Sequence, residues 1–140
     1  MIRYKKLPAN IEELIPEALT YLQSRPEILF AYLFGSFGRG KHLPLSDVDI
    51  AAYLKDSTNI QEKKVEILVG LIDTLRTDEI DFVILNTAPL PLRMKILESK
   101  KVVVDHDPYQ RHVYESLTMR EYFDFSMKEK DILYRRFLSG

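Results

Sequence analysis

The stretch LFGSFGRGKHLPLSDVDIAAYL (residues 33–54) joins two apolar runs through a glycine-rich basic turn. It holds three of the five glycines of the chain, and two aspartates, Asp47 and Asp49, stand where the second apolar run begins. Glycine lets the backbone turn sharply after a strand and brings its amides close to a phosphate. Paired acids on a strand can hold a divalent metal ion. The two features together predict metal-dependent nucleotide chemistry.

Asp47 and Asp49 are two positions apart, so on a strand their side chains project from the same face. The apolar residues between and after them are expected to face a core on the other side: Val48, Ile50, Ala52 and Leu54. Two neighbouring carboxylates repel each other unless a cation lies between them, and Mg²⁺ prefers oxygen ligands. The pair alone also fits a turn acid followed by an exposed strand acid, but the upstream glycine turn favours the metal site.

Gly35 and Ser36 lie where the first strand is predicted to end. Ser36 can offer its amide and its hydroxyl to a phosphate oxygen, and Arg39 and Lys41 can neutralise further phosphate charge. An ordinary flexible turn with solvated basic residues is the alternative. The glycine order matches neither a Walker A loop nor a dinucleotide-binding fingerprint.

Hydrophobic periodicity predicts helices alternating with strands. The strands are expected at 28–34, 48–54, 80–85 and 101–105, and the helices at about 10–24, 59–75, 90–97 and from about 108 onward, the last in two pieces. The first two strands are joined by a connection too short for a crossover helix, so they should be antiparallel. We therefore expect an α/β (α+β) fold with a mixed four-stranded sheet flanked by helices.

Finer features of these helices are also predicted. Asn10 and Glu13 fit a capping box, and Pro16 implies either a kink or a second helix start. The 59–75 helix is expected to bury one apolar stripe, formed by Val65, Leu68, Val69, Ile72 and Leu75. The aromatic residues of the last 32 positions are expected to lie mainly in the core. The amphipathic tail 128–137 fits partner docking and intramolecular packing equally well.

Length and composition restrict the class of protein. A chain of 140 residues predicts one domain covering 1–140. The net charge of −1 argues against direct nucleic-acid binding, and the absence of cysteine excludes thiolate chemistry. The sequence shows neither a signal-peptide pattern nor an apolar run near the ~20 residues that span a bilayer. We expect a cytoplasmic protein without membrane association.

Gly35-Ser36, ten intervening residues and then Asp47-Val48-Asp49 resemble the G-S-x(10)-D-x-D signature of minimal nucleotidyltransferases of the polymerase-β superfamily. The resemblance covers about residues 11–126 in order, although its specific motif is confined to 35–49. The run DFVILNTAPLPLRMKILESKKVVVDHD is similar to the corresponding region of MNT-type antitoxins. Gly38 departs from the small alanine that many relatives have there.

The resemblance implies a polymerase-β-like nucleotidyltransferase fold and a third metal-site carboxylate on a neighbouring strand, which Asp81 matches. Asp47, Asp49 and Asp81 would then be the catalytic residues and the ligands of two Mg²⁺ ions. Gly35, Ser36 and Arg39 would anchor the phosphates of ATP. The resemblance also implies a partner: MNT proteins pair with HEPN-domain ribonuclease toxins, and relatives transfer AMP to a toxin tyrosine. A hetero-oligomer with such a toxin is therefore expected.

Two other functions stay open at the level of sequence. The chain could neutralise a toxin by binding alone, with an unused nucleotide site. It could also transfer a nucleotide to a small molecule such as an aminoglycoside, but 140 residues leave little chain to form an acceptor pocket. The shortness of the chain favours a macromolecular acceptor.

Overall fold

The computed structural model describes residues 7–40 and 47–137. The strands of this part of the chain are β1 (Ile28–Phe34), β2 (Val48–Leu54), β3 (Ile80–Ile84) and β4 (Lys101–Asp105). The helices are α1 (Ile11–Ser24), α2 (Gly35–Gly38), α3 (Ile60–Leu75), α4 (Leu90–Ser99) and α5 (Pro108–Phe137). None of the helices in these residues is both long enough and apolar enough to cross a membrane.

The four strands form one sheet in the order β3-β2-β1-β4. β1 runs antiparallel to both β2 and β4. For β2 this follows from the short connection, which holds no crossover helix. β2 and β3 are parallel, and α3 supplies the crossover between them. The predicted mixed four-stranded sheet flanked by helices is confirmed.

Side chains alternate between two apolar clusters on the two sides of the sheet. The α1/α3 face carries the strand residues Ala31, Leu33, Val48, Ile50, Ala52, Leu54, Ile80, Phe82 and Ile84. The α4/α5 face carries Phe30, Tyr32, Phe34, Ala51 and Leu85, packed against Ile96 and Leu97 of α4. The four apolar residues predicted to oppose the aspartate pair are therefore buried in the α1/α3 face.

The predicted apolar stripe of α3 is right for Leu75, which is buried, and for Leu68 and Ile72, which are partly buried against the core, but it is wrong for Val65 and Val69. α3 buries Ile67, Leu71 and Leu75, whereas Val65 and Val69 are 59% and 60% exposed. Both sets have helical spacing, and the contacts of α3 with α1 and β3 decide which set faces the core.

The start of α1 differs from the predicted capping box, because Asn10 occupies the N-cap without a side-chain hydrogen bond. Pro16 lies inside one uninterrupted helix.

The C-terminal segment is one helix of 30 residues rather than two pieces. Its proximal half packs on the sheet, where Glu115 and Thr118 are buried. The prediction that its aromatic residues lie mainly in the core is wrong: Tyr109, Phe123, Phe125, Tyr134 and Phe137 are all exposed. Residues 128–137 are exposed throughout, so the tail does not pack on the rest of the described chain.

Candidate active site

Two acids meet where β2 and β3 run side by side. Asp49 of β2 and Asp81 of β3 are Cα partners in the parallel ladder, so their side chains lie on the same face of the sheet. Both line a cavity of about 200 Å³ on the α4/α5 face. The remaining lining residues are Phe34, Gly35, Arg39, Leu92, Lys95 and Ser99.

The turn after β1 brings its backbone against this acid pair. Gly35 has a φ of +63°, a region that costs most side chains free energy but is open to glycine. A Cβ at position 35 would overlap Oδ2 of Asp49, so the backbone approaches the carboxylate as closely as a glycine allows. The N–H of Gly35 donates a hydrogen bond to Oγ of Ser99 over 3.0 Å. The glycine thus shapes the turn, while its amide is held by α4.

The cavity combines both signs of charge. Asp49 and Asp81 contribute two carboxylates, and Arg39 and Lys95 contribute two cationic side chains on other elements. Cationic side chains suit phosphate oxygens, whereas a carboxylate pair suits a hard cation such as Mg²⁺. An anionic substrate bound together with a metal would match both halves of the cavity.

The structure brings together four of the seven predicted site residues: Gly35, Arg39, Asp49 and Asp81. Ser36 is half-buried beside Gly35, and Asp47 is half-buried just before β2, but neither lines the cavity within the described chain. Lys41 lies outside the described residues. Within residues 7–40 and 47–137, no three acidic or histidine side chains converge as a metal site.

Two further acids, Asp78 and Glu79, come shortly before Asp81 in the chain, but neither lines the cavity. Asp78 is exposed, and Glu79 is buried at 8% exposure without lining the cavity. Strand phase explains the difference, because Asp81 alone stands level with Asp49 in the ladder.

The sequence reasoning missed the wall that α4 forms. Leu92, Lys95 and Ser99 are spaced three and four residues apart, so they lie on one face of α4. The spacing is visible in the sequence, but which face meets the ends of β1 and β2 depends on long-range packing. Lys95 and Ser99 are the polar residues that this face adds to the site.

A polar network surrounds the buried carboxylate of Glu115, where α5 packs on β1. The hydroxyl of Tyr32 donates to Oε2 of Glu115 over 2.7 Å, and Arg111 bridges Glu115 and Asp105. Burial and the hydrogen bond to Glu115 raise the pKa of Tyr32 far above its ordinary value. The ammonium of Lys100 lies 3.4 Å from Oε2 of Glu115. This network fixes the end of α4 and the start of β4 against α5.

A family described as polymerase beta nucleotidyltransferase matches residues 17–109, which is more than half of the chain. The chain therefore belongs to this family and is a nucleotidyltransferase. The match spans β1 to β4, and hence every described residue that lines the cavity. No curated protein sequence matches the chain.

Solved structures with the same fold come from toxin–antitoxin complexes. A toxin–antitoxin crystal structure with AMP-PNP contains a chain that is 24% identical, with a TM-score of 0.68; 87% of this chain and 94% of that one are covered. A chain of an MntA–HepT complex is 21% identical with a TM-score of 0.62, covering 90% and 96%. A chain from a complex of tri-AMPylated Shewanella oneidensis HEPN toxin with MNT antitoxin is 21% identical with a TM-score of 0.59, covering 89% and 90%.

Proposed function

We propose that this nucleotidyltransferase is an Mg²⁺-dependent protein adenylyltransferase that transfers AMP from ATP to a tyrosine of a HEPN toxin and so acts as its antitoxin. The observation that carries the proposal is the placement of Asp49 and Asp81 in one cavity with the Gly35 turn. Its biological context comes from the similar solved chains, which belong to toxin–antitoxin complexes, one with a tri-AMPylated HEPN toxin.

The donor set of the cavity fits a divalent metal. Asp49 and Asp81 offer only oxygen, which is the ligand type that Mg²⁺ prefers. Mg²⁺ commonly takes one or two protein carboxylates and completes its shell with substrate phosphates and water, so two acids in the cavity suffice. Asp47, two residues before Asp49 in the chain, would add the third carboxylate for two ions. When bound, the metal would neutralise charge on the phosphates and the leaving pyrophosphate.

The protein groups then perform the transfer by orienting the reactants. Arg39 and Lys95 would bind the β- and γ-phosphates, with Ser36 and Lys41 as further contacts in the same turn. The hydroxyl oxygen of the acceptor tyrosine attacks the α-phosphorus of ATP, and the bond from that phosphorus to the bridging oxygen of pyrophosphate breaks. Asp81 would lie nearest the attacking hydroxyl and accept its proton. The products are AMP-tyrosine and pyrophosphate.

The size of the cavity supports a macromolecular acceptor. About 200 Å³ between the described residues is less than the ~300–1,000 Å³ of usual small-molecule sites, so these residues do not enclose a separate pocket for a small-molecule acceptor. A protein acceptor brings its own surface to complete the site. The exposed apolar side chains of α5, including Phe123 and Phe137, provide area for such a partner. We propose a hetero-oligomer with the toxin in the cytoplasm, where ATP is available, without direct nucleic-acid contact.

The test is to incubate the purified chain with its cognate HEPN toxin, ATP and Mg²⁺, and to measure the intact mass of the toxin. We expect mass steps of one AMP with the natural chain and none with the double variant Asp47→Asn, Asp49→Asn. An unchanged toxin mass with the natural chain would contradict the proposal. Toxin neutralisation in cells by the double variant would assign the antitoxin effect to binding alone.

A further inference from the structure

Ser99, the last residue of α4, contacts the Gly35–Gly38 turn at two points. Its hydroxyl accepts the hydrogen bond of the Gly35 amide over 3.0 Å. Its carbonyl oxygen lies against Gly38, where an added Cβ would overlap it and would also lie 2.7 Å from the carbonyl oxygen of Leu33. Ser99 is only 6% exposed, yet it is one of the residues that line the cavity. One serine therefore joins both ends of α2 to the wall of the site.

We propose that Ser99 is a positioning residue that holds the Gly35–Gly38 turn in the conformation that binds the phosphates of the nucleotide. This inference rests on the proposed function, because it names a residue that prepares the same site. Ser99 need not touch the substrate. It acts through Gly35, whose backbone lies against the carboxylate of Asp49, and through Arg39, which follows the turn.

The hydrogen bond of Ser99 accounts for an amide that would otherwise be unpaired. The first amides of a helical turn have no partner within the turn itself, and a buried amide without a partner is costly. The Gly35 amide is part-buried, and its partner comes from a helix 64 residues away in sequence. Because Ser99 already accepts the hydrogen bond of this amide, the serine fixes the backbone of Gly35 before a nucleotide binds.

Ser99 is itself held in place by the next residue in the chain. The ammonium of Lys100 lies 3.4 Å from Oε2 of Glu115 and 5.9 Å from the ring centre of Tyr32. Glu115 is only 7% exposed and also accepts the hydroxyl hydrogen of Tyr32. A rigid link thus runs from α5 and β1 through the end of α4 to the turn, which is the arrangement that a positioning residue needs.

The test compares Ser99→Ala, which removes the hydroxyl, with Ser99→Thr, which keeps it. Ser116→Ala is the matched control, because it removes a hydroxyl from an exposed position of α5. Two quantities are measured on the full chain: hydrogen exchange of the Gly35 amide by NMR, and the Kd for AMP-PNP in the presence of Mg²⁺. A thermal unfolding scan of each variant shows whether it is folded.

We expect Ser99→Ala to speed exchange at Gly35 by about 10-fold and to weaken AMP-PNP binding by about 3- to 10-fold, as loss of one hydrogen bond implies. Ser99→Thr should restore both, and Ser116→Ala should change neither. An unchanged Kd in Ser99→Ala, or a loss that Ser99→Thr does not restore, would overturn the positioning role. Failure of the natural chain to bind AMP-PNP would instead refute the proposed function, and this inference with it.

Discussion

The two faces of the sheet differ in the kinds of side chain that cover them. The α1/α3 face is closed by aliphatic and aromatic side chains that are almost fully buried, such as Leu22, Leu54 and Leu71. The α4/α5 face also has an apolar cluster, but Asp49 and Asp81 line a cavity on this face, and charged side chains surround the buried Glu115. The α1/α3 face thus carries the larger apolar cluster, while the α4/α5 face carries the candidate site.

The largest effect on stability is expected on the α1/α3 face, at Leu71 of α3. Leu71 is fully buried, so Leu71→Ala should lower the free energy of unfolding by about 2–5 kcal/mol. Val69→Ala is the control on the same helix, since Val69 is 60% exposed and should change stability by no more than about 0.5 kcal/mol. Denaturant titration measures both. Equal losses at the two positions would mean that the buried face of α3 is assigned wrongly.

At the edge of the α4/α5 face, Gly35→Ala should reduce the activity of the site far more than the stability of the fold. The positive φ and the overlap of the new Cβ with Asp49 Oδ2 should cost about 1–3 kcal/mol of unfolding free energy and reduce AMP transfer by about 100-fold or more. Gly40→Ala is matched to it, because Gly40 also has positive φ but no described atom lies within 4 Å of its added Cβ. It should cost about 1–2 kcal/mol and leave transfer largely intact. Retained activity in Gly35→Ala would argue against the close turn.

The smallest effect concerns alkaline pH and two tyrosines that pack in the α4/α5 face, Tyr32 and Tyr114. Burial raises the pKa of Tyr32 and of Tyr114, and Tyr114 donates its hydroxyl to the carbonyl of Leu85. Above pH ~10 an unfolded tyrosine releases its proton while the folded one keeps it, so the unfolded state binds fewer protons. The stabilisation is complete below that pH and is lost as the pH rises, by up to about 1.4 kcal/mol per pH unit for each tyrosine.

Tyr114→Phe tests this pH dependence, because it removes the phenol hydroxyl of one of these two tyrosines. Denaturant unfolding measured between pH 9 and pH 11 should show a shallower loss of stability than in the natural chain. Tyr109→Phe makes the same change at a residue that is 78% exposed, and its slope should be unchanged. If both variants follow the natural chain, ionisation of Tyr114 does not contribute to the alkaline loss.

Local signals in the sequence predicted the sheet well. β1, β2 and β4 have the predicted bounds, because each is an apolar or β-branched run that stops at a turn residue or a charged residue. The short glycine-rich connection between β1 and β2 correctly predicted their antiparallel pairing. These are properties of neighbouring residues, which a sequence displays directly.

The features that the sequence did not predict depend on contacts between distant segments. The stripes of α3 that contain Val69 or Leu71 have the same spacing, and only packing against α1 decides between them. The aromatic residues of α5 could not be assigned from composition, because the distal part of this helix extends beyond the sheet that would bury them. No glycine or proline interrupts residues 109–137, which is the sequence signal for a single helix.

The candidate site also combines residues that the sequence predicted with residues that only the structure revealed. Asp49 and the Gly35 turn were predicted from local spacing, whereas Asp81 required the resemblance to a family and Lys95 and Ser99 required the structure. The last two come from α4, whose approach to the cavity is set by the packing of Ile96 and Leu97 on the sheet. The roles of all these residues, and of Asp47, Ser36 and Lys41, stay predictions until the site is tested.

The most direct test of the acid pair compares Asp81→Asn with Asp78→Asn. Both replace one carboxylate near the start of β3, but only Asp81 lines the cavity beside Asp49. The measurement is the rate of AMP transfer from ATP to the cognate toxin, with thermal unfolding as a check on folding. We expect Asp81→Asn to reduce the rate by about 100-fold or more and Asp78→Asn to change it by less than about 2-fold. A natural rate in Asp81→Asn, or an equal loss in both variants, would contradict the account.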